Sequence, residues 1–204
     1  MVKQKFYVVW KGIEPGVYDS WDACKCQVEN FDGALYKSFP TKELAEKAYQ
    51  SNPWNYMGKS KNPAAVLQGG FIKDSLAVDA ACSGNPGPME YRGVYVANGQ
   101  ELFLKGPYQK GTNNVGEFLA IVHGLAFLKQ QKIDIPIYSD SVNAMLWVKN
   151  KKSKTKLEPC EENKLIFELI DRAEKWLKEN TYKNKILKWE TDKWGEIPAD
   201  FGRK

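Results

Sequence analysis

β-branched and aromatic residues crowd the stretch "KFYVVWKG", which predicts a strand ending at Gly12, and "PGVYDSW" turns the chain into a second short extended segment. Helical character follows in "DACKCQVENF", a further strand in "ALYKSF", and a helix in "TKELAEKAYQ", where Thr41 is a natural N-cap and Leu44, Ala45 and Ala48 fall on one face. The predicted order is strand, strand, helix, strand, helix. A unit of about 45 residues has a marginal core, here supplied by Phe6, Val8, Trp10, Val28, Phe39 and Leu44. The pattern is then lost. Residues 51–74, "SNPWNYMGKSKNPAAVLQGGFIKD", hold Pro, Gly, Ser and Asn without a sustained period and read as a linker.

Periodicity returns at residue 75. "SLAVDAACS", "RGVYVANG" and "QELFLKGPYQ" predict three consecutive strands, with Asn98-Gly99 as a hairpin signal. "NVGEFLAIVHGLAFLKQQ" is helical and apolar nearly all round, hence buried. "IPIYSD" is a short buried strand leading into the helix "SVNAMLWVKN". An amphipathic helix, "ENKLIFELIDRAEKWLKEN", the strand "KILKWET" and a short terminal helix after Pro198 complete the chain. Hairpin strands followed by strand and helix alternation imply an α/β domain with a mixed sheet and helices on its faces. The expected organisation is a small α+β domain at 1–50, a linker at 51–74 and a larger domain at 75–204.

Composition narrows the class. Hydrophobic residues are 43% and charged ones 27% of the 204, which suits a globular protein and argues against wholesale disorder. No apolar stretch approaches the ~20 residues of a membrane helix, and the start "MVKQKFYVVWKG" lacks the apolar core of a secretory signal. A cytoplasmic, membrane-free protein is expected. Cys24, Cys26, Cys82 and Cys160 lack metal-type pairing and read as reduced thiols. The net charge of +5 is only mildly basic, but "KNKKSKTK" at 149–156 carries five lysines in eight positions. Taken alone, such a run is a solvated loop.

Four carboxylates stand where they cost free energy. Asp79 interrupts the apolar run before the "SGNPG" turn, so its charge needs a cation or several donors. Glu117 lies in the first turn of the buried helix, where Asn114 as N-cap would make it N3 of a capping-box-like arrangement. Asp140 ends a strand where a helix starts, so helix capping by Asp140 or Ser141 accounts for it. Asp200 would be N3 of the terminal helix if Pro198 is N1. Each account suffices singly. Together, on one mixed sheet, the four would repel one another unless protonated or bound to divalent metal. Oxygen-only ligation suits Mg²⁺, or Mn²⁺ in its place, and two such ions ~3.5–4 Å apart are a known device for in-line phosphoryl displacement.

The set Asp79 in "VDAACSGNPG", Glu117 in "TNNVGEFLAIVHGL", Asp140 in "IYSDS" and Asp200 in "KWGEIPADFGRK" resembles the acidic set of type 1 ribonucleases H, particularly the bacterial Bacillus-like branch. The N-terminal segment, "KFYVVWKGIEPGVYDSWDACKCQV" with "GALYKSF", similarly resembles the hybrid-binding, viroplasmin-type domain found on many of these enzymes. The resemblance implies a ribonuclease H-like five-stranded mixed sheet with helices on both faces, preceded by a domain of three strands and two helices. It implies a monomeric, sequence-independent endoribonuclease that cuts RNA in RNA/DNA hybrids with two Mg²⁺ ions, giving 5′-phosphate and 3′-hydroxyl ends, with no obligate protein partner. Asp79 would bridge both ions, Asp140 and Asp200 would each hold one, and Glu117 would serve metal and ribose.

By the same resemblance, Gly84, Asn85 and Asn113 would read the RNA 2′-hydroxyl. Thr112, Asn114 and Thr155 would form a pocket for a DNA phosphate, Trp147 would face DNA sugars, and the 149–156 lysines would contact backbone. In the first unit Trp21, Tyr36 and Lys37 would contact DNA, and backbone amides around Asp32–Ala34 would contact RNA. Leu35 and Ser38 depart from positions that are often basic. Where many relatives carry a loop histidine, this chain reads "TDKWGEIPAD", and Glu196 takes the auxiliary role. The sole histidine, His123, sits inside an apolar helix and reads as a core residue.

Overall fold

A computed structural model of the chain describes residues 4–29, 31, 34–51, 53, 56 and 70–202. The chain divides into two compact units, Met1–Lys61 and Asn62–Lys204. The first contains β1 (Phe6–Lys11), β2 (Gly16–Tyr18), α1 (Trp21–Val28), β3 (Leu35–Phe39) and α2 (Lys42–Tyr49). Its antiparallel sheet has the order β2-β1-β3. Both helices start on hydroxyl caps: Ser20 Oγ accepts from Ala23 N and Thr41 Oγ1 from Leu44 N, each at 3.3 Å. Ala45 and Ala48 are buried with Val8 and Phe39, and Trp10 Nε1 donates to Ala48 O at 3.0 Å. That close approach of α2 to a sheet only three strands wide leaves Leu44 on the flank, 45% exposed, rather than in the expected core. Tyr56 stacks on Trp10, so this unit's packing runs past residue 50.

The second unit contains β4 (Leu76–Cys82), β5 (Gly87–Tyr95), β6 (Gln100–Gly111), α3 (Asn113–Gln131), β7 (Ile137–Ser139), α4 (Val142–Lys149), α5 (Lys164–Glu179), β8 (Ile186–Lys188) and α6 (Thr191–Trp194). Strands β4 to β6 form an antiparallel meander, and β7 and β8 add in parallel to give the order β6-β5-β4-β7-β8. This is the expected mixed five-stranded ribonuclease H-like sheet, with the three-stranded, two-helix domain before it. Alternation along β4 sends Leu76, Val78 and Ala80 into the core beneath α3 and α5, with Met89, Phe118, Ile121, Leu125 and Ile170. Ala77 joins a second cluster on the other face with Val94, Tyr138, Trp189, Ile197 and Ala199, against which Trp194 of α6 packs. Phe71 also joins it, its ring 4.8 Å from that of Trp189, so the last residues of the expected linker pack as part of this unit.

Among the described residues, the expected helix after Pro198 does not form. Gly195, at φ +76°, ends α6, and its carbonyl accepts from buried Trp189 Nε1 at 2.8 Å. Pro198 and Ala199 then make a turn in which Asp200 N donates to Ile197 O at 2.7 Å. Tertiary anchors therefore override the local N1 preference of the proline. Among the described residues, no helix is long and apolar enough to cross a membrane.

Candidate active site

Asp79 is on the central strand and only 7% exposed. The parallel register pairs Ala77 with Tyr138, and β7 ends at Ser139. Carrying that register two residues on sets position 140 level with position 79. Glu117 arrives from above. Gly116 lets α3 approach β4 so closely that a Cβ there would meet Ala80 Cβ at 2.7 Å. Oxygens of Asp79, Glu117 and Asp140 consequently all lie within 4.8 Å of one another.

Local structure removes the capping accounts of these residues. The N-cap of α3 is Thr112, whose Oγ1 accepts from Val115 N at 3.4 Å, rather than Asn114. Glu117 is therefore the fifth helical residue and no part of a capping box. Asn113 Nδ2 donates to its Oε1 at 2.7 Å. Ser141 caps α4 through Ala144 N at 3.2 Å, which frees Asp140 from that duty. Asp140 Oδ1 is buried without a hydrogen-bond partner among the described residues. A buried acceptor left in that state costs about 1–3 kcal/mol.

Burial first, then the charge of Asp140, pushes the Asp79 carboxyl up to about 8; Glu117 and Asp200 add to the rise and the Ala80 amide opposes it. Burial also raises Glu117 to about 7, against a hydrogen bond from Ser141 and the charge of Lys188. Three crowded carboxylates, an orphaned oxygen and no thiolate or imidazole among them make a donor set that fits a hard divalent cation. Asp200 is outside the three-residue cluster but near enough for its charge to act on Asp79. Its Oδ2 accepts from Gly202 N at 2.7 Å. Glu196 is exposed at the bend before it.

The turn joining β4 to β5 carries Gly84, at φ +120°, a conformation that needs glycine, and Asn85. Asn85 lines a cleft of about 780 Å³ together with Thr112, Asn114, Trp147 and Thr155, and Lys110, Lys154 and Lys156 border it. Trp147 is 7% exposed, its ring packed edge-on against Phe118 at 6.0 Å while it lines the cleft. Asn113 is engaged with Glu117 instead. The lysine loop is tied down: buried Glu174 of α5 accepts from Lys152 Nζ at 2.6 Å and from Ser153 N at 3.0 Å. This anchor is missed in the sequence reading, although a glutamate turned into the apolar side of an amphipathic helix is a signal for it. His123 is half-buried and stacks on Phe103 at 4.1 Å; burial and Lys105 hold it down at about 4, so it stays neutral.

In the first unit, Trp21 and Tyr36 are 41% and 40% exposed, their ring centroids 5.7 Å apart, and Tyr7 extends the row at 5.6 Å from Trp21. Tyr7 escaped the sequence reading. Lys37 is not part of this row: Tyr36 pairs with Val9 and Lys37 with Val8, so strand alternation sends them to opposite faces. The Lys37 ammonium donates to Tyr56 O. Of the amides around Asp32–Ala34, those of Asp32 and Gly33 lie outside the described residues.

Comparison with known proteins gives two family matches: RNase H over residues 73–190, and Ribonuclease H1 N-terminal domain over residues 5–49. Asp79, Glu117 and Asp140 lie inside the first; Glu196 and Asp200 lie beyond its end. The Ribonuclease H of a Thermoanaerobacter species is 33% identical over 127 residues, spanning 53% of this chain and 81% of that one. That of Acetivibrio thermocellus is 33% identical over 138 residues, spanning 59% and 93%. Among solved structures, a compost-derived ribonuclease H1 in complex with RNA/DNA hybrid aligns at 21% identity and a TM-score of 0.37, covering 59% of this chain and 87% of that one.

Proposed function

The chain belongs to the ribonuclease H family and is a ribonuclease H hydrolase, and from that premise we propose that it cuts the RNA strand of RNA/DNA hybrids without reading sequence, using two Mg²⁺ ions and leaving 5′-phosphate and 3′-hydroxyl ends. The observation that carries this reading is the meeting of Asp79, Glu117 and Asp140 within 4.8 Å, with one buried Asp140 oxygen unpartnered. Divalent ions held there supply positive charge to the phosphate oxygens and lower the pKa of a bound water.

The chain's own residues set the geometry. Asp79 is fixed on a central strand, Asn113 holds one oxygen of Glu117, and Asp200 completes the set from the C-terminal turn. Glu196, on the exposed bend, assists proton transfer or product release. Gly84, Asn85 and Asn113 read the RNA 2′-hydroxyl. Thr112, Asn114, Thr155 and Trp147 take the DNA strand in the cleft beside the lysine loop, whose charges make affinity fall with salt. "GEIPAD" with Glu196 and no histidine supports the Bacillus-like branch. A monomer in the cytoplasm, with its thiols reduced, belongs to the same proposal.

The direct test offers labelled RNA/DNA hybrid, duplex RNA and duplex DNA side by side with Mg²⁺. Only the RNA strand of the hybrid is cut, and its ends are 5′-phosphates. Comparable cleavage of duplex DNA rejects the proposal.

The first unit acts as a tether that raises local hybrid concentration. The exposed rings of Trp21 and Tyr36, with half-buried Tyr7 extending the row, offer faces for sugars. Trp21→Ala weakens hybrid binding by about 1–3 kcal/mol, the scale of one lost aromatic stack, and leaves kcat at saturating substrate unchanged. Fluorescence anisotropy with matched kinetics measures both, and unaltered affinity removes this surface from the account.

A further inference from the structure

Directly across β5 from Asp79 stands Arg92. A cation one strand away from crowded carboxylates would ordinarily be their counter-charge, but its guanidinium is engaged elsewhere. Nε donates to Ala199 O at 2.9 Å and Nη2 donates to Asp200 O, bonds that span 107 and 108 residues of sequence. Nη1 reaches Glu101 Oε2 at 3.3 Å, and the guanidinium carbon stands 4.7 Å from the centre of the Phe201 ring. Three consecutive residues, Ala199, Asp200 and Phe201, are thus held by one side chain.

Asp200 is also seated by the buried Ile197 and Ala199 before it, both in the second core cluster. It follows a turn rather than sitting in a helix, and among the described residues its remaining hydrogen bonds, to Ile197 O and from Gly202 N, are local. The ladder holds Asp79 directly, Asp140 follows the last paired residue of β7, and α3 carries Glu117, whereas the backbone carbonyl of Asp200 is tied to the sheet by Arg92. We propose that Arg92 is a positioning residue: its forked grip on the Ala199 and Asp200 carbonyls ties that turn to β5 and sets the Asp200 carboxylate against the Asp79 cluster. Two carbonyls one residue apart match a planar fork, and an ammonium, as a point donor, does not reproduce that hold. The proposal rests on the reading of Asp200 as a metal ligand, and the experiment separates the two.

Calorimetric titration measures Mg²⁺ affinity in the full chain and in Arg92→Ala, Arg92→Lys, Asp200→Asn and Glu101→Gln variants, each checked for its fold by circular dichroism. Arg92→Ala weakens Mg²⁺ binding about 10-fold, the lower end for losing a group that orients a ligand, and Arg92→Lys falls short of the parent in the same direction. Glu101→Gln leaves affinity unchanged. Amide exchange at residues 199–202 quickens in both Arg92 variants, and excess Mg²⁺ restores much of kcat while KM for hybrid stays put. If Arg92→Ala does not fold, Arg92→Lys carries the same prediction. Parent-like Mg²⁺ affinity in the folded Arg92 variants, alongside a loss in Asp200→Asn, overturns the positioning role. Unchanged affinity in Asp200→Asn overturns the ligand reading beneath it.

Discussion

Asp79→Asn loses Mg²⁺-dependent cleavage of hybrid by roughly 10³-fold or more, the scale of removing a group whose charge matters most in the transition state. Its affinity for hybrid stays close to that of the parent. Asparagine keeps the size and most of the packing of the side chain but cannot supply a negative oxygen where Asp79, Glu117 and Asp140 meet. The cleft of Asn85, Thr112, Asn114 and Thr155, the lysine loop and the aromatic row on the first unit are all untouched. Single-turnover kinetics and anisotropy on the same preparation separate these effects. Cleavage within tenfold of the parent counts against Asp79 as a ligand.

The second large effect is on stability, and its sign follows from proton counts. Asp79 and Glu117 sit at about 8 and about 7 in the folded chain, above their unfolded values of about 3.9 and 4.3. Between those values the folded state binds more protons than the unfolded one, so this contribution is fully present below about pH 4 and is lost as pH rises through 7 to 8. Metal-free protein accordingly loses of order a few kcal/mol from these two groups across that window. Divalent metal displaces their protons and restores the balance, so Mg²⁺ raises Tm more at pH 8 than at pH 5. Asp79→Asn removes one of the two groups, which flattens the metal-free pH profile and raises Tm at pH 8. Thermal denaturation of both proteins at both pH values, with and without Mg²⁺, tests this; a Mg²⁺ effect equal at the two pH values contradicts it.

The sequence displays most of the scaffold because its signals are local and repeated. A helix apolar on nearly every side, "NVGEFLAIVHGLAFL", has nowhere to go but the interior, and Asp79 is conspicuous amid small apolar neighbours. What was not legible depends on tertiary contact. Thr112 rather than Asn114 caps α3, one position decided by extended backbone at φ −134°. Pro198 invites a helix that Trp189 and Arg92 replace with a braced turn. Arg92 itself is an ordinary strand residue in "EYRGVY", and the two carbonyls it grips lie more than a hundred positions downstream. The separation of Lys37 from Tyr36 was legible, since adjacent strand residues face opposite ways. Leu44 gave no such signal: only the width of a three-stranded sheet leaves it outside.

Crystals grown with a short RNA/DNA hybrid, soaked in Mn²⁺ just before cooling and measured for anomalous scattering, locate the ions themselves. The account predicts two peaks about 3.5–4 Å apart, touched by Asp79, Glu117, Asp140 and Asp200, with an RNA phosphate between them. Ions bound elsewhere, or a phosphate over these carboxylates with no metal beside it, contradict it.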